Sequence, residues 1–163
     1  MIRGRFAEAI RRLGANDVEF IVVGMMAGVL RGAPVMTADL DIVHRRSPEN
    51  VARLLEVLRD IDAIYRHDPR RLRPGESHLL GPGHQLLVTT LGDLDCLGTI
   101  GTDQTYEDLL SRAPELDMGD GLAVRVIDLP TLIELKEKAG RPKDLAVLPV
   151  LRATLAETLR RRS

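Results

Sequence analysis

The sequence predicts an α/β chain in which short buried strands alternate with amphipathic helices. Three observations predict it. Phe20–Val23 is a short apolar run rich in β-branched residues, which reads as a buried strand. Asp39-Leu40-Asp41-Ile42-Val43 alternates polar and apolar residues and reads as a second strand. Several other stretches carry apolar residues at helical spacing, beginning with Phe6, Ile10 and Leu13. At 163 residues, one compact domain over 1–163 is expected. Its α/β core would span 1–127, with C-terminal helices over 128–163 packed on it.

The elements follow in order. The N-terminal helix ends at Gly14, and Asn16-Asp17 turns the chain into the first strand. Gly24 breaks that strand, and 25–30 suits a short helix closed by Gly32. Pro34 and Thr37 lie in a connection to the Asp39 strand. Ser47-Pro48-Glu49 is a helix start, with Ser at the cap, Pro at the first position and Glu in the first turn. Val51, Leu54, Leu55 and Leu58 give that helix its buried stripe. A short strand is expected over 63–65, and further strands over 86–90 and 93–97. A short helix over 106–112 precedes a turn at 118–121 and a strand over 123–127. Asp128 caps a helix over 129–139 that Gly140 ends. A last helix follows through Leu145, Leu148, Leu151, Leu155 and Leu159. Pro149 should kink it or shift its start to about 149, and 160–163 reads as a basic, frayed tail.

Composition excludes several classes. The net charge of −1 gives no global basic field, so any nucleic-acid contact would be local. With no Trp, two Phe and two Tyr, a base-stacking surface is disfavoured. Cys96 is the single cysteine, which rules out an intrachain disulfide and a Cys-rich metal site. The longest apolar run is too short to span a bilayer. Arg3 and Arg5 are not followed by the apolar core of a signal peptide. A soluble protein of the reducing cytoplasm, without membrane contact, is expected.

Strand side chains alternate faces, so Asp39 and Asp41 share one face and Leu40 and Ile42 the other. Two carboxylates on one face repel unless they share a proton or hold a cation. A hard ion such as Mg²⁺ suits them, since it takes oxygen ligands and keeps places for substrate phosphates. The alternative is a surface turn with two solvated acids. About fifty residues later Asp93-Leu94-Asp95 repeats the pattern. A third carboxylate brought to the first pair by an adjacent strand is what a two-metal site requires. Otherwise Asp93 caps a turn and Asp95 is an edge residue.

The stretch 66–84 is the least regular, with three prolines, three glycines, and Arg66, Arg70, Arg71 and Arg73. It reads either as a solvated loop or as a lid or clamp over phosphates. His67, His78 and His84 lie nearby at spacings that give a zinc site no support.

Gly24, Ala27, Gly32, Thr37 and Asp39-Leu40-Asp41 resemble the pattern of the DNA polymerase β-like nucleotidyltransferase superfamily, where a strand, a small-residue turn and a short helix precede an Asp-x-Asp strand. The later stretches resemble the small nucleotidyltransferases grouped with the AbiEii-type toxins. These are Gly92-Asp93-Leu94-Asp95-Cys96-Leu97-Gly98, Tyr106-Glu107-Asp108-Leu109, Leu132-Ile133-Glu134-Leu135-Lys136 and Gly140-Arg141-Pro142-Lys143-Asp144-Leu145. The order and spacing of the motifs carry the likeness, which covers nearly the whole chain.

The resemblance implies a small mixed sheet flanked by helices. It implies transfer of a nucleoside monophosphate from an NTP to an acceptor hydroxyl with Mg²⁺ or Mn²⁺. Asp39 and Asp41 would hold the metals, and Asp95 would complete the site and help deprotonate the acceptor. Gly24 would let the backbone approach the triphosphate, with Thr37 in the same nucleotide-binding set. Lys136, Arg141 and Lys143 would neutralise phosphates, or else form a solvated helix end. Met25 stands where the family has a small residue, and its side chain could crowd the phosphates. The acceptor could be a tRNA end, another RNA, a protein hydroxyl or a small molecule, and an antitoxin could be a partner. A second class stays open: a protein that keeps the fold but acts by binding a partner. Lys136 is expected at the edge of its helix's buried stripe, held by the three acids when the cleft is empty, with Lys138 an ordinary surface lysine.

Overall fold

A computed structural model describes residues 4–163; Arg3 lies outside them. Seven strands form one mixed sheet: β1 (Phe20–Val23), β2 (Asp39–His44), β3 (Ile64–Tyr65), β4 (His84–Thr89), β5 (Gly92–Leu97), β6 (Glu115–Asp117) and β7 (Ala123–Val126). Their order across the sheet is β3-β4-β5-β2-β1-β7-β6. β2 runs parallel to β5 and β1 parallel to β7, while the remaining neighbours are antiparallel.

Seven α-helices accompany the sheet: α1 (Gly4–Ala15), α2 (Gly24–Leu30), α3 (Pro48–Asp60), α4 (Glu76–Leu80), α5 (Tyr106–Leu109), α6 (Leu129–Ala139) and α7 (Pro142–Arg162). α3 packs with α1 and α4, and α6 packs with α2 and α7. The apolar back of the central strands is fully covered: Leu40, Ile42, Leu87 and Cys96 are all 0% exposed. None of the helices among the described residues is long and apolar enough to cross a membrane.

The predicted caps hold. Ser47 accepts the Asn50 backbone N–H at 3.2 Å, and Asp128 accepts that of Thr131 at 2.9 Å. Gly140 closes α6 in the left-handed conformation. Buried Asn50 bonds the Glu19 N–H and carbonyl and the Arg45 carbonyl, tying the outer ends of β1 and β2 together.

Two expectations about the C-terminus are corrected. α7 starts at Pro142, not near 149, and continues through Pro149. Pro142 is tolerated because a first-turn N–H has no helical partner. Pro149 lies on the exposed side, where the carbonyl it leaves unpaired can meet water. Nor is 160–163 a frayed tail, since helix extends to Arg162. The 66–84 stretch is more ordered than its composition suggests. It contains α4, whose Leu79 is fully buried, and the buried His44 Nε2 lies 2.8 Å from the Leu79 carbonyl oxygen.

Candidate active site

The parallel register of β2 and β5 sets Asp39 beside Asp93 and Asp41 beside Asp95. Directly paired residues point to the same face, so both Asp-Leu-Asp pairs turn their carboxylates the same way. Asp39, Asp41 and Asp95 each offer an oxygen, and these oxygens lie within 4.8 Å of one another. Asp41 Oδ1 and Asp95 Oδ1 are buried and accept no hydrogen bond. Such a group costs about 1–3 kcal/mol, and more when it is charged. Three converging carboxylates, with the buried Asp41 Oδ1 left without a partner, fit a hard divalent cation.

Electrostatics agree with that geometry. Burial, and then the Asp39 and Asp95 charges, push the Asp41 carboxyl up to about 7. Burial also raises Asp95, against the opposing effect of the Arg66 guanidinium.

Gly24 opens α2 with φ +63°, and a Cβ there would meet Asp41 Oδ2 at 2.5 Å. Glycine is therefore required twice, by the backbone conformation and by the carboxylate packed on it. The Thr37 hydroxyl donates to the Asp39 carbonyl at 3.1 Å and lies 3.4 Å from Asp39 Oδ1, fixing the start of β2.

A cavity of about 430 Å³ opens beside Asp41 and Gly24, walled by Leu135 and Gln104 and carrying Lys136 and Arg141. These two cations converge on Asp144, which is fully buried in the first turn of α7. Lys136 Nζ donates to it at 3.2 Å, and Arg141 through Nε at 2.6 Å and Nη2 at 3.2 Å. Arg141 chiefly, with Lys136, holds the Asp144 carboxyl down at about 2. Lys136 is thus bonded to Asp144 and not to the three acids, because the α6–α7 turn brings Asp144 closer to its ammonium. Its charge still favours the ionised form of Asp41.

Lys138 is the surface lysine expected: its side chain is 64% exposed and pairs with Glu134 at 2.9 Å, at the rim of the same cavity. Lys143 is exposed and does not line the cavity. Met25 does not line it either. Its side chain is half-buried against the core, with its methyl 3.4 Å from the point where Gly28 would carry a Cβ. A second cavity, also about 430 Å³, lies at the opposite end of β2 and β5, lined by Phe6, Met36, Thr37, Leu91 and Asp93.

Sequence reasoning missed Asp144, and it named Arg66 only as one member of a candidate clamp over phosphates. Asp144 sits three residues after Arg141 and accepts its backbone N–H at 3.3 Å, so it looks like an ordinary capping acid. Arg66 is one of four arginines in an irregular stretch, and nothing local marks it out. Its Nη2 lies 3.0 Å from Asp95 Oδ1, aligned too poorly for a hydrogen bond.

No family model matches the chain, and no curated protein matches it in sequence. Solved structures do. TM1012 of Thermotoga maritima, a candidate nucleotidyltransferase, is 19% identical over 99% of this chain and 94% of its own, with a TM-score of 0.55. The antibiotic-resistance factor ANT(2'')-Ia is 13% identical over 96% of this chain and 86% of its own, with a TM-score of 0.59. At these identities the likeness is one of architecture, and the chain has the mixed α/β fold of nucleotidyltransferase structures.

Proposed function

We propose that this protein is a metal-dependent nucleotidyltransferase that moves a nucleoside monophosphate from an NTP to an acceptor hydroxyl. One observation carries the reading: Asp39, Asp41 and Asp95 each offer an oxygen within 4.8 Å of the others, and Asp41 of this cluster lines the cavity that carries Lys136 and Arg141. Asp39, Asp41 and Asp95 would hold Mg²⁺ or Mn²⁺, which when bound neutralises phosphate charge and activates the attacking oxygen. The chain's own groups do the rest. Gly24 leaves the backbone bare beside Asp41, so a triphosphate can approach closely. Lys136 and Arg141 meet the phosphates, oriented beforehand by Asp144. Asp95, its pKa raised by burial, accepts the acceptor proton.

An in-line displacement needs the attacking and leaving oxygens on opposite sides of the phosphorus. β2 and β5 run in parallel from one cavity to the other, past the carboxylates. The nucleotide then occupies the Lys136 cavity, and the acceptor approaches from the side of Thr37 and Asp93. The acceptor is an RNA such as a tRNA end, a protein or a small molecule. The order of motifs supports a place among AbiEii-type toxins, working in the cytoplasm with an antitoxin partner.

The test is thermal. A cation bound only by the native state at one hundred times its Kd stabilises it by about 2.7 kcal/mol. Mn²⁺ should raise the melting temperature of the wild type and leave Asp39→Asn/Asp41→Asn unmoved. An equal rise in the double variant would place the metal elsewhere. Transfer of labelled NMP from each of the four NTPs, lost in the same variant, would establish the activity.

A further inference from the structure

Arg66 stands apart from the other arginines of its segment. Arg70 and Arg73 make exposed pairs with Asp68 and Asp62. Arg66 directly follows β3, and its backbone N–H donates to the Leu86 carbonyl at 2.9 Å, extending the β3–β4 ladder. Its Nη1 donates to the Leu87 carbonyl at 2.8 Å. A side chain tethered at both ends is only 17% exposed, and it delivers its guanidinium to the carboxylate face: Nη2 lies 3.0 Å from Asp95 Oδ1, and Nη1 lies 3.6 Å from Asp93 Oδ2.

The charge balance makes this contact consequential. Asp39, Asp41, Asp93 and Asp95 lie on two adjacent strands. Lys136 gives its ammonium to Asp144, so among the described residues Arg66 is the cation directly paired with this group. The pairing is close but misaligned, and Asp95 Oδ1 is left without a hydrogen bond. Arg66 therefore constrains the carboxylate without saturating it.

We propose that Arg66 is a positioning residue that holds Asp95 in the cluster and competes with the divalent cation for it, so setting the metal affinity of the site. The inference rests on the metal-site reading above. A guanidinium fixed beside a ligand oxygen repels an incoming cation and so weakens its binding. The same guanidinium limits the rotamers of the ligand, as outer groups around metal sites do. The site then keeps a ready-formed third ligand at the expense of tight metal binding.

Calorimetric titration with Mn²⁺ alone, at pH 8 and low salt, tests this with no need for turnover. Arg66→Ala should lower the Mn²⁺ Kd by about fivefold or more, and Arg71→Ala, which removes an exposed charge from the same segment, should change it less than twofold. Arg66→Gln, closer in size, serves if the alanine variant does not fold. In an Asp95→Asn background the gain from removing Arg66 should disappear. An unchanged or weaker affinity on removing Arg66 would overturn the proposal. So would a gain that persists undiminished without the Asp95 carboxylate, since Arg66 would then act only as a distant charge. If the wild type itself binds no Mn²⁺, the metal-site reading falls and this one with it. Binding by the wild type without the Arg66 effect sinks this proposal alone.

Discussion

Burial and two neighbouring carboxylates hold the Asp41 carboxyl at about 7, against an ordinary value of 3.8. The native state therefore keeps a proton that the unfolded chain releases. The associated stability is fully present below about 3.8 and is lost as pH rises through about 7. Without metal, Asp41→Asn should be more stable than the wild type at pH 8, by roughly 1–3 kcal/mol in urea denaturation. The difference should shrink towards zero near pH 4. Equal stability at pH 8 would mean that Asp41 is better solvated than its surroundings suggest. Gly24→Ala tests the same contact from the other side. It places a Cβ against Asp41 Oδ2 on a left-handed backbone, so it should cost about 1–3 kcal/mol and abolish the Mn²⁺-induced thermal shift. A stable variant with an intact shift would contradict the tight packing. At this scale the sequence shows the carboxylates clearly, because strand alternation fixes the face of each acid. It does not show Arg66 or Asp144, whose roles depend on partners 29 and 8 residues away.

Helices and strands with a clean period are legible, and their caps are too. β6 is not, because a three-residue edge strand, mostly exposed, leaves no apolar pattern. α7 was misread for a related reason. Its proline breaks the local rule, while Leu148 and Leu151 on the opposite side are buried and hold the helix through it. Pro149 gives up the bond that its N–H would make to the Leu145 carbonyl. Pro149→Ala should therefore raise stability, by about 1–3 kcal/mol, seen as a higher melting temperature. A lower one would mean that the helix needs a bend at this point to pack on α6.

The site is a property of the whole molecule. Asp95 reaches Asp41 only because β5 inserts between β4 and β2, a pairing across more than fifty residues that leaves no trace in local periodicity. The repeated Asp-Leu-Asp pair hints at a meeting, but strand order decides it. Cys96 sits at that junction, fully buried on the apolar side of β5. Burial, with Asp95 and Asp41 nearby, pushes its thiol well above the ordinary range. The native protein should therefore ignore a thiol reagent for as long as the sheet stays closed, and in mild urea its labelling rate should rise in step with the unfolded fraction. Labelling in buffer without any unfolding would mean that the centre of the sheet opens locally. The chain thus carries its own single-site clock for opening of the β2–β5 junction, and Mn²⁺ bound on the far side of that strand should slow it.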